Sequence, residues 1–453
     1  MALAKSTGLV TRPLSHVTRF PSIARPDVAS WPFLRFWAFY ALVTYADYFN
    51  LLGYSTAGIG AIGKYAFFLL LFFAFAIGWL RSSRSRLGSN APTIFLFFTI
   101  VSLIPFLTQL VGEGDTNSYA SAFVPSLIYS MSLAFDPSKY GRDLRQLNSR
   151  VQQLLLVLCI LYDGELILRN YSGLAYFANV ANQTNHLKSM VFVAALGLAY
   201  LSHRSFSYLL LLFFLTGLSE FLRPSSSLLL ATAACAPLCM LIRSRSIRPA
   251  ALITYGIIGL AALVPFLLHY FPEVAQLVTS LEETAKSDAL GGISNSTVRL
   301  AIMDLAFQRI ESSSWLVGEL FSGGTSVQVA SLLSFWTANY ASGLAQIHSD
   351  YVCVLLEGGL IGYAAFNVGI ALAAKRSLVS IGGLAGNEFA LASSGVVFCL
   401  IFVIYCSANP MLQVYQASAL IWGLFLISDI ASRVIDQDRD QSRRPVSRGN
   451  SSD

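Results

Sequence analysis

A histidine and an arginine are the side chains best placed to do chemistry in this chain. His348 stands in QIHSDYVCVLLEGGLIGY, just ahead of an apolar run. Ser349 or Asp350 can N-cap a helix there. The imidazole then lies at a helix end on an aqueous boundary, where it can take a proton from an incoming hydroxyl. The plain alternative is a hydrogen-bonded interfacial histidine, the reading given to His16, His203 and His269. Arg299 lies in SNSTVRLAIMDLAFQRI. Val298, Ile302, Leu305 and Arg309 recur there at helical spacing, which predicts a helix. Its guanidinium suits an anionic group, or it pairs with Asp304 or Glu319 as an ordinary surface ion pair. Arg223, in SEFLRPSSSLLL, could join Arg299 with Lys188 or Arg309 in a cationic pocket for a diphosphate. Snorkelling, or a partner in Glu220 one turn earlier, is its structural alternative. Asn185 and His186, in NVANQTNHLKSM, set polar groups at the start of another apolar run.

The elements that must hold these residues follow from composition. Of 453 residues, 55% are hydrophobic and 12% charged, with 32 Phe and a mean hydropathy of +0.61. A soluble globular protein carries about 25% charged residues. This balance excludes an ordinary soluble enzyme, a disordered chain and a nucleic-acid-binding module. It predicts an all-α polytopic membrane protein. Apolar stretches suggest spans near 32–53, 65–80, 92–111, 119–135, 152–168, 187–202, 206–222, 226–242, 250–270, 351–374, 388–407 and 411–431, twelve in all. With the N-terminus inside, 22 of the 30 basic residues fall on the cytoplasmic side and seven outside, and every internal loop obeys the positive-inside rule. Residues 1–31 are expected to form a cytoplasmic tail, not a signal peptide, since no short apolar core with a cleavage site follows them. Residues 432–453 are charged and Ser-rich and are expected to be a disordered cytoplasmic tail. The six cysteines all fall in apolar runs and read as packing residues.

One hydrophilic segment, 271–347, is too long for a connector and is expected to be a large outer loop between spans nine and ten. Trp315, Phe321, Phe335, Trp336 and Tyr340 argue that it is structured, and Ser326–Tyr340 can form a helix lying on the membrane surface. A cap without chemistry is the alternative. The loop has seven acidic and three basic residues, a charge of −4. Asp47, Asp163 and Glu165 fall within spans, where carboxylates mark ion paths or lie at span boundaries. No nucleotide loop or metal-binding cluster is evident, and no Asp-Asp or Asp-x-Asp motif that would hold a divalent cation against a sugar diphosphate.

The stretch from His348 to Gly362 resembles the signature of the bacterial O-antigen ligase and O-antigen polymerase superfamily. There a histidine opens the helix after the large periplasmic loop, with a glycine eleven residues on, the position of Gly359. Glu357 and Gly362 extend the likeness. Arg299 resembles the family's loop arginine, NQTNHL its Asn-containing span entrance, and WLVG (Trp315–Gly318) its apolar-Gly turn. The likeness covers about residues 180–375. Two departures stand out: Ser349 replaces the asparagine that usually follows the histidine, and Arg223 precedes Pro224 and three serines rather than a small residue and a Leu-rich span. The resemblance implies a metal- and cofactor-free glycosyltransferase of the bacterial inner membrane, with both termini cytoplasmic. Its partners would be an undecaprenyl-diphosphate-linked glycan donor and a glycan or lipid-linked hydroxyl acceptor. His348 would act as general base, Arg299 would hold the diphosphate, and Arg223, Asn185, His186 and Arg309 would bind substrate. The acidic loop disfavours the phosphorylated lipid A–core acceptor of a ligase and so favours an exopolysaccharide or O-antigen polymerase. A protein-glycosylating member is a further subclass. From another class, a polysaccharide transporter or flippase suits many spans with intramembrane carboxylates.

Overall fold

The computed structural model describes residues 32–46, 144–171, 185–222, 226–285, 295–319, 326–328, 344–381, 387–409, 411 and 415–443. The expected spans at 65–80, 92–111 and 119–135, together with Asp47 and Arg223, lie outside them. The described elements are α1 (Pro32–Tyr45), α2 (Leu144–Tyr171), α3 (Asn185–Lys188), α4 (Met190–His203), α5 (Ser207–Leu222), α6 (Ser226–Arg243), α7 (Ile247–Tyr270), α8 (Pro272–Ala285) and α9 (Asn295–Ser312). Two three-residue strands follow, β1 (Ser326–Gln328) and β2 (Leu344–Gln346), then α10 (Asp350–Ser380), α11 (Asn387–Ala408) and α12 (Tyr415–Arg443). The described chain is thus almost entirely helical.

Four helical stretches, Leu144–Leu168, Ile247–Tyr270, Asp350–Val379 and Phe389–Ala408, are long and apolar enough to cross a membrane. Others are apolar but shorter. α5 buries Leu209, Leu212, Thr216 and Ser219, one stripe at helical spacing, while Leu210, Phe213, Phe214 and Phe221 stay exposed. α7 likewise exposes Leu252, Leu260 and Leu263. Outward apolar faces of this kind mark a membrane protein. Between α5 and α6 one contact is small and polar: Thr216 and Thr232 share a hydrogen bond of 2.8 Å, as suits packing without a hydrophobic driving force.

α11 is the axis. It is apolar on every side and buried on every side, packed by α2, α4, α6, α7, α10 and α12. All six cysteines are free and buried, as their apolar settings predict.

Three expectations need correction. First, α10 is not one straight span. Gly359 has φ +57° and ψ −162°, outside the helical region. The rings of Tyr351 and Phe366 lie 5.4 Å apart, whereas fifteen residues of straight helix would separate them by about 22 Å. The chain therefore bends back at Gly359, and the half-helix Asp350–Gly358 is buried throughout. Second, Ser326–Gln328 is a strand, not the start of a surface helix. It pairs antiparallel with β2 in the register Ser326↔Gln346, Val327↔Ala345, Gln328↔Leu344. Val327 is buried and β-branched, and it faces the partner strand better than a helix groove. Residues 329–343, with Phe335, Trp336 and Tyr340, lie outside the described residues. Third, the charged tail does not begin at 432: α12 runs on to Arg443. Val434 and Ile435 stay buried beyond Ala431, so the apolar face outlasts the apolar composition.

Candidate functional site

The last four carbonyls of a helix have no partner within it and must find others. At the end of α11 they organise the loop. Arg299 Nη1 donates to the Ala408 carbonyl at 3.1 Å, and a cation there also suits the negative end of the helix dipole. Ser349 Oγ donates to the Cys406 carbonyl at 3.4 Å. Asn409 Nδ2 donates to Ser227 Oγ, at the start of α6, at 2.7 Å. The Tyr405 hydroxyl and Ser189 Oγ, between α3 and α4, lie 2.8 Å apart. Elements far apart in sequence thus meet on residues 405–409.

Arg299 reaches this point because α9 forms as its spacing predicts. Val298 and Ile302 are buried and turn the helix so that the half-buried Arg299 faces α11. Both of its expected carboxylate partners meet other side chains. Asp304 bonds His269 Nδ1 at 2.9 Å, and Glu319 receives Arg309, with Nε donating at 3.0 Å. Arg309 is therefore tied to the turn after α9, ten residues or about 15 Å along the helix from Arg299. It forms a bridge within the loop there.

His348 follows strand β2 and Ile347 directly and is half-buried. Ser349 caps the half-helix, its hydroxyl accepting from Val352 N at 3.5 Å, which is the cap the sequence allowed. Asp350, buried, lies against Cys406 in the helix's first turn, where an acid suits the dipole. Burial, and then the nearby Arg299 guanidinium, push the His348 imidazole down from its usual value near 6.5 to about 4. The two groups singled out in the sequence, 49 positions apart, are therefore neighbours whose charges feel each other. At neutral pH the imidazole is uncharged and able to accept a proton.

Other expected residues are placed differently. Asn185 and His186 lie in the short helix α3, two to three residues from the Lys188–Ser189 corner; their side chains are not among the described ones. Lys188 is not on the outer aqueous face: it is buried, with Nζ 2.8 Å from Glu165 Oε2, and its carbonyl accepts from the Tyr45 hydroxyl at 3.3 Å. Glu165, a carboxylate expected within a span, and Lys188, a cation expected on the outer face, answer each other across 23 positions. His203 and His269 are hydrogen-bonded, to Gln152 Oε1 at 3.1 Å and to Asp304, as boundary histidines should be. Sequence reasoning missed the Tyr405–Asn409 hub itself. Its only signal is that Asn409-Pro410 ends an apolar helix.

Among the described residues no three His, Cys, Asp or Glu side chains gather in a metal-binding group. What the site offers is a fixed cation, an uncharged imidazole and a ring of helix-end carbonyls.

No known protein-family model matches the chain, and no curated relative matches it.

Proposed function

We propose that this protein is a membrane glycosyltransferase that moves glycan units from an undecaprenyl-diphosphate carrier to a hydroxyl acceptor on the periplasmic face, as a polysaccharide polymerase of the exopolysaccharide or O-antigen type. The reading includes twelve spans in a bacterial inner membrane, both termini cytoplasmic, and residues 271–347 as the periplasmic loop. The observation that carries it is the proximity of Arg299 and His348 at the outer end of α11.

In this mechanism His348 accepts the proton of the acceptor hydroxyl. The hydroxyl oxygen bonds to the anomeric carbon, the bond from that carbon to the diphosphate oxygen breaks, and the diphosphate leaves with the electron pair. Arg299 holds the departing charge. An imidazole near 4 is a weak base while Arg299 faces it alone. A dianionic diphosphate beside Arg299 reverses the local field and raises the imidazole toward its working range. Donor binding thereby arms the base. The −4 charge of the loop favours a polymerase over a ligase acting on phosphorylated lipid A–core.

A second reading, a polysaccharide transporter or flippase, draws support from the buried Lys188–Glu165 pair, since intramembrane ion pairs often serve transport. Deletion of the gene followed by glycan electrophoresis separates the two. Product stalled at one repeat unit supports the polymerase, and carrier-linked long chains that never reach lipid A support the ligase. Substrate trapped inside supports transport. His348→Ala and Arg299→Ala are expected to abolish polymer with the protein still inserted; full-length polymer in either variant defeats the catalytic assignment.

A further inference from the structure

The bend at Gly359 is filled by another part of the chain. In a continuous helix Leu360 N would donate to the Leu356 carbonyl, four residues back. Here Leu360 N donates to the Trp315 carbonyl at 2.8 Å and Ile361 N to the Leu316 carbonyl at 3.2 Å, while the Leu356 carbonyl accepts from Glu319 N at 2.9 Å. The turn after α9 has taken over the bonds that α10 gives up. The fit depends on two glycines, both with positive φ. A Cβ on Gly318 would come within 2.6 Å of Gly359 N, and one on Gly359 within 2.5 Å of Gly318 N. The Arg309–Glu319 bridge binds the turn back onto the last turn of α9.

We propose that this turn, docked into the break at Gly359, is the positioning device that holds the Arg299 guanidinium beside the His348 imidazole. Two arms leave one joint. α9 runs about 20 Å from the turn to Arg299, and the half-helix Asp350–Gly358 runs about 12 Å toward His348. A rotation of about 10° at the joint displaces Arg299 by roughly 3 Å, and a misplacement of about 1 Å can cost on the order of a hundredfold in rate. Gly318, Gly359, Arg309 and Glu319 are positioning residues, with no part in the bond-making. Their catalytic consequence rests on the reading given under Proposed function; the juxtaposition itself does not.

The test is the titration of His348 in the full-length protein in nanodiscs, followed by NMR of labelled histidine, with His348→Gln to assign one resonance among five histidines. Gly318→Ala and Gly359→Ala are expected to raise the midpoint from about 4 by about half a pH unit to one unit, the share left to Arg299 once burial, the larger cause, is set aside. Arg299→Gln is expected to move it the same way and to leave little further shift when combined with Gly318→Ala. Arg309→Gln, which leaves both glycines in place, gives a smaller rise, and the exchanged pair Arg309→Glu with Glu319→Arg restores the wild-type midpoint. Inserted glycine variants whose midpoint stays near 4, or shifts fully additive with Arg299→Gln, overturn the proposal. If the glycine variants do not insert, an unchanged midpoint in Arg309→Gln overturns it. Polymer synthesis surviving in His348→Ala would remove the proposed reaction and leave this result standing, so the two failures are distinct.

Discussion

The two ends of α11 treat their cations differently. Near its N-terminal end Arg376 of α10 meets the carboxylate of Asp429 on α12. Beside it Ser377 and Ser428 share a hydrogen bond of 3.2 Å, and Ser428 also donates to the Ala392 carbonyl at 3.1 Å. A charge is matched there by a charge, and hydroxyls by their neighbours. At the C-terminal end Arg299 donates to a carbonyl oxygen, and its field reaches His348. One end ties helices together by an ion pair and hydroxyls; the other sets a guanidinium near an imidazole, where each charge bears on the other.

That contrast can be broken by experiment. The largest effect expected is at the C-terminal end of α11. Arg299→Ala should reduce polymer, measured per inserted molecule, by a hundredfold or more, an order of magnitude typical of losing a transition-state charge contact; Arg376→Ala should leave polymer per molecule near wild type. Next comes stability. Arg376→Ala removes the cation facing Asp429 and Lys188→Gln the one facing Glu165, each expected to cost about 3–5 kcal/mol in thermal unfolding in detergent. Restoring neutrality with Lys188→Gln and Glu165→Gln together should recover part of that loss.

A pH effect follows from His348. Its folded-state value, about 4, lies below the unfolded value near 6.5. The unfolded chain therefore binds the proton first. The associated stability is complete above about pH 6.5 and declines as pH falls toward about 4, where it levels off. Comparing thermal midpoints of wild type and His348→Gln from pH 7 to 4 checks this, and the variant should lack that part of the slope. The smallest effect is Ser349→Ala, which removes the half-helix cap and should cost about 0.5–2 kcal/mol.

Much of the site was legible in the sequence because its signals are local. Val298 and Ile302 announce α9, and Ser349 announces a cap. Only seven of the 30 basic residues fall in segments expected on the outer face, so Arg299 stood out, as did His348 at the start of an apolar run. What was hidden is non-local. Gly359 stands out only as a signature glycine within an expected span, and the arrival of Trp315–Glu319, some 40 positions earlier, is what makes it a bend. Lys188 and Glu165 read as two boundary charges because nothing in either neighbourhood names the other. The strand pair was missed for the same reason: three residues have too little pattern to outweigh the helical spacing of the stretch that follows.

The bend also sets a depth. From Leu360 to Ser380 the helix is 21 residues, about 31 Å long, close to the roughly 30 Å thickness of a bilayer's hydrocarbon. Asp350–Gly358 is surplus to that crossing. The turn Trp315–Glu319 completes the backbone ladder interrupted at Gly359, which acyl chains would leave unsatisfied. The half-helix that leads to His348 is thus packed against protein along its whole length and makes no demand on the thickness of a bilayer.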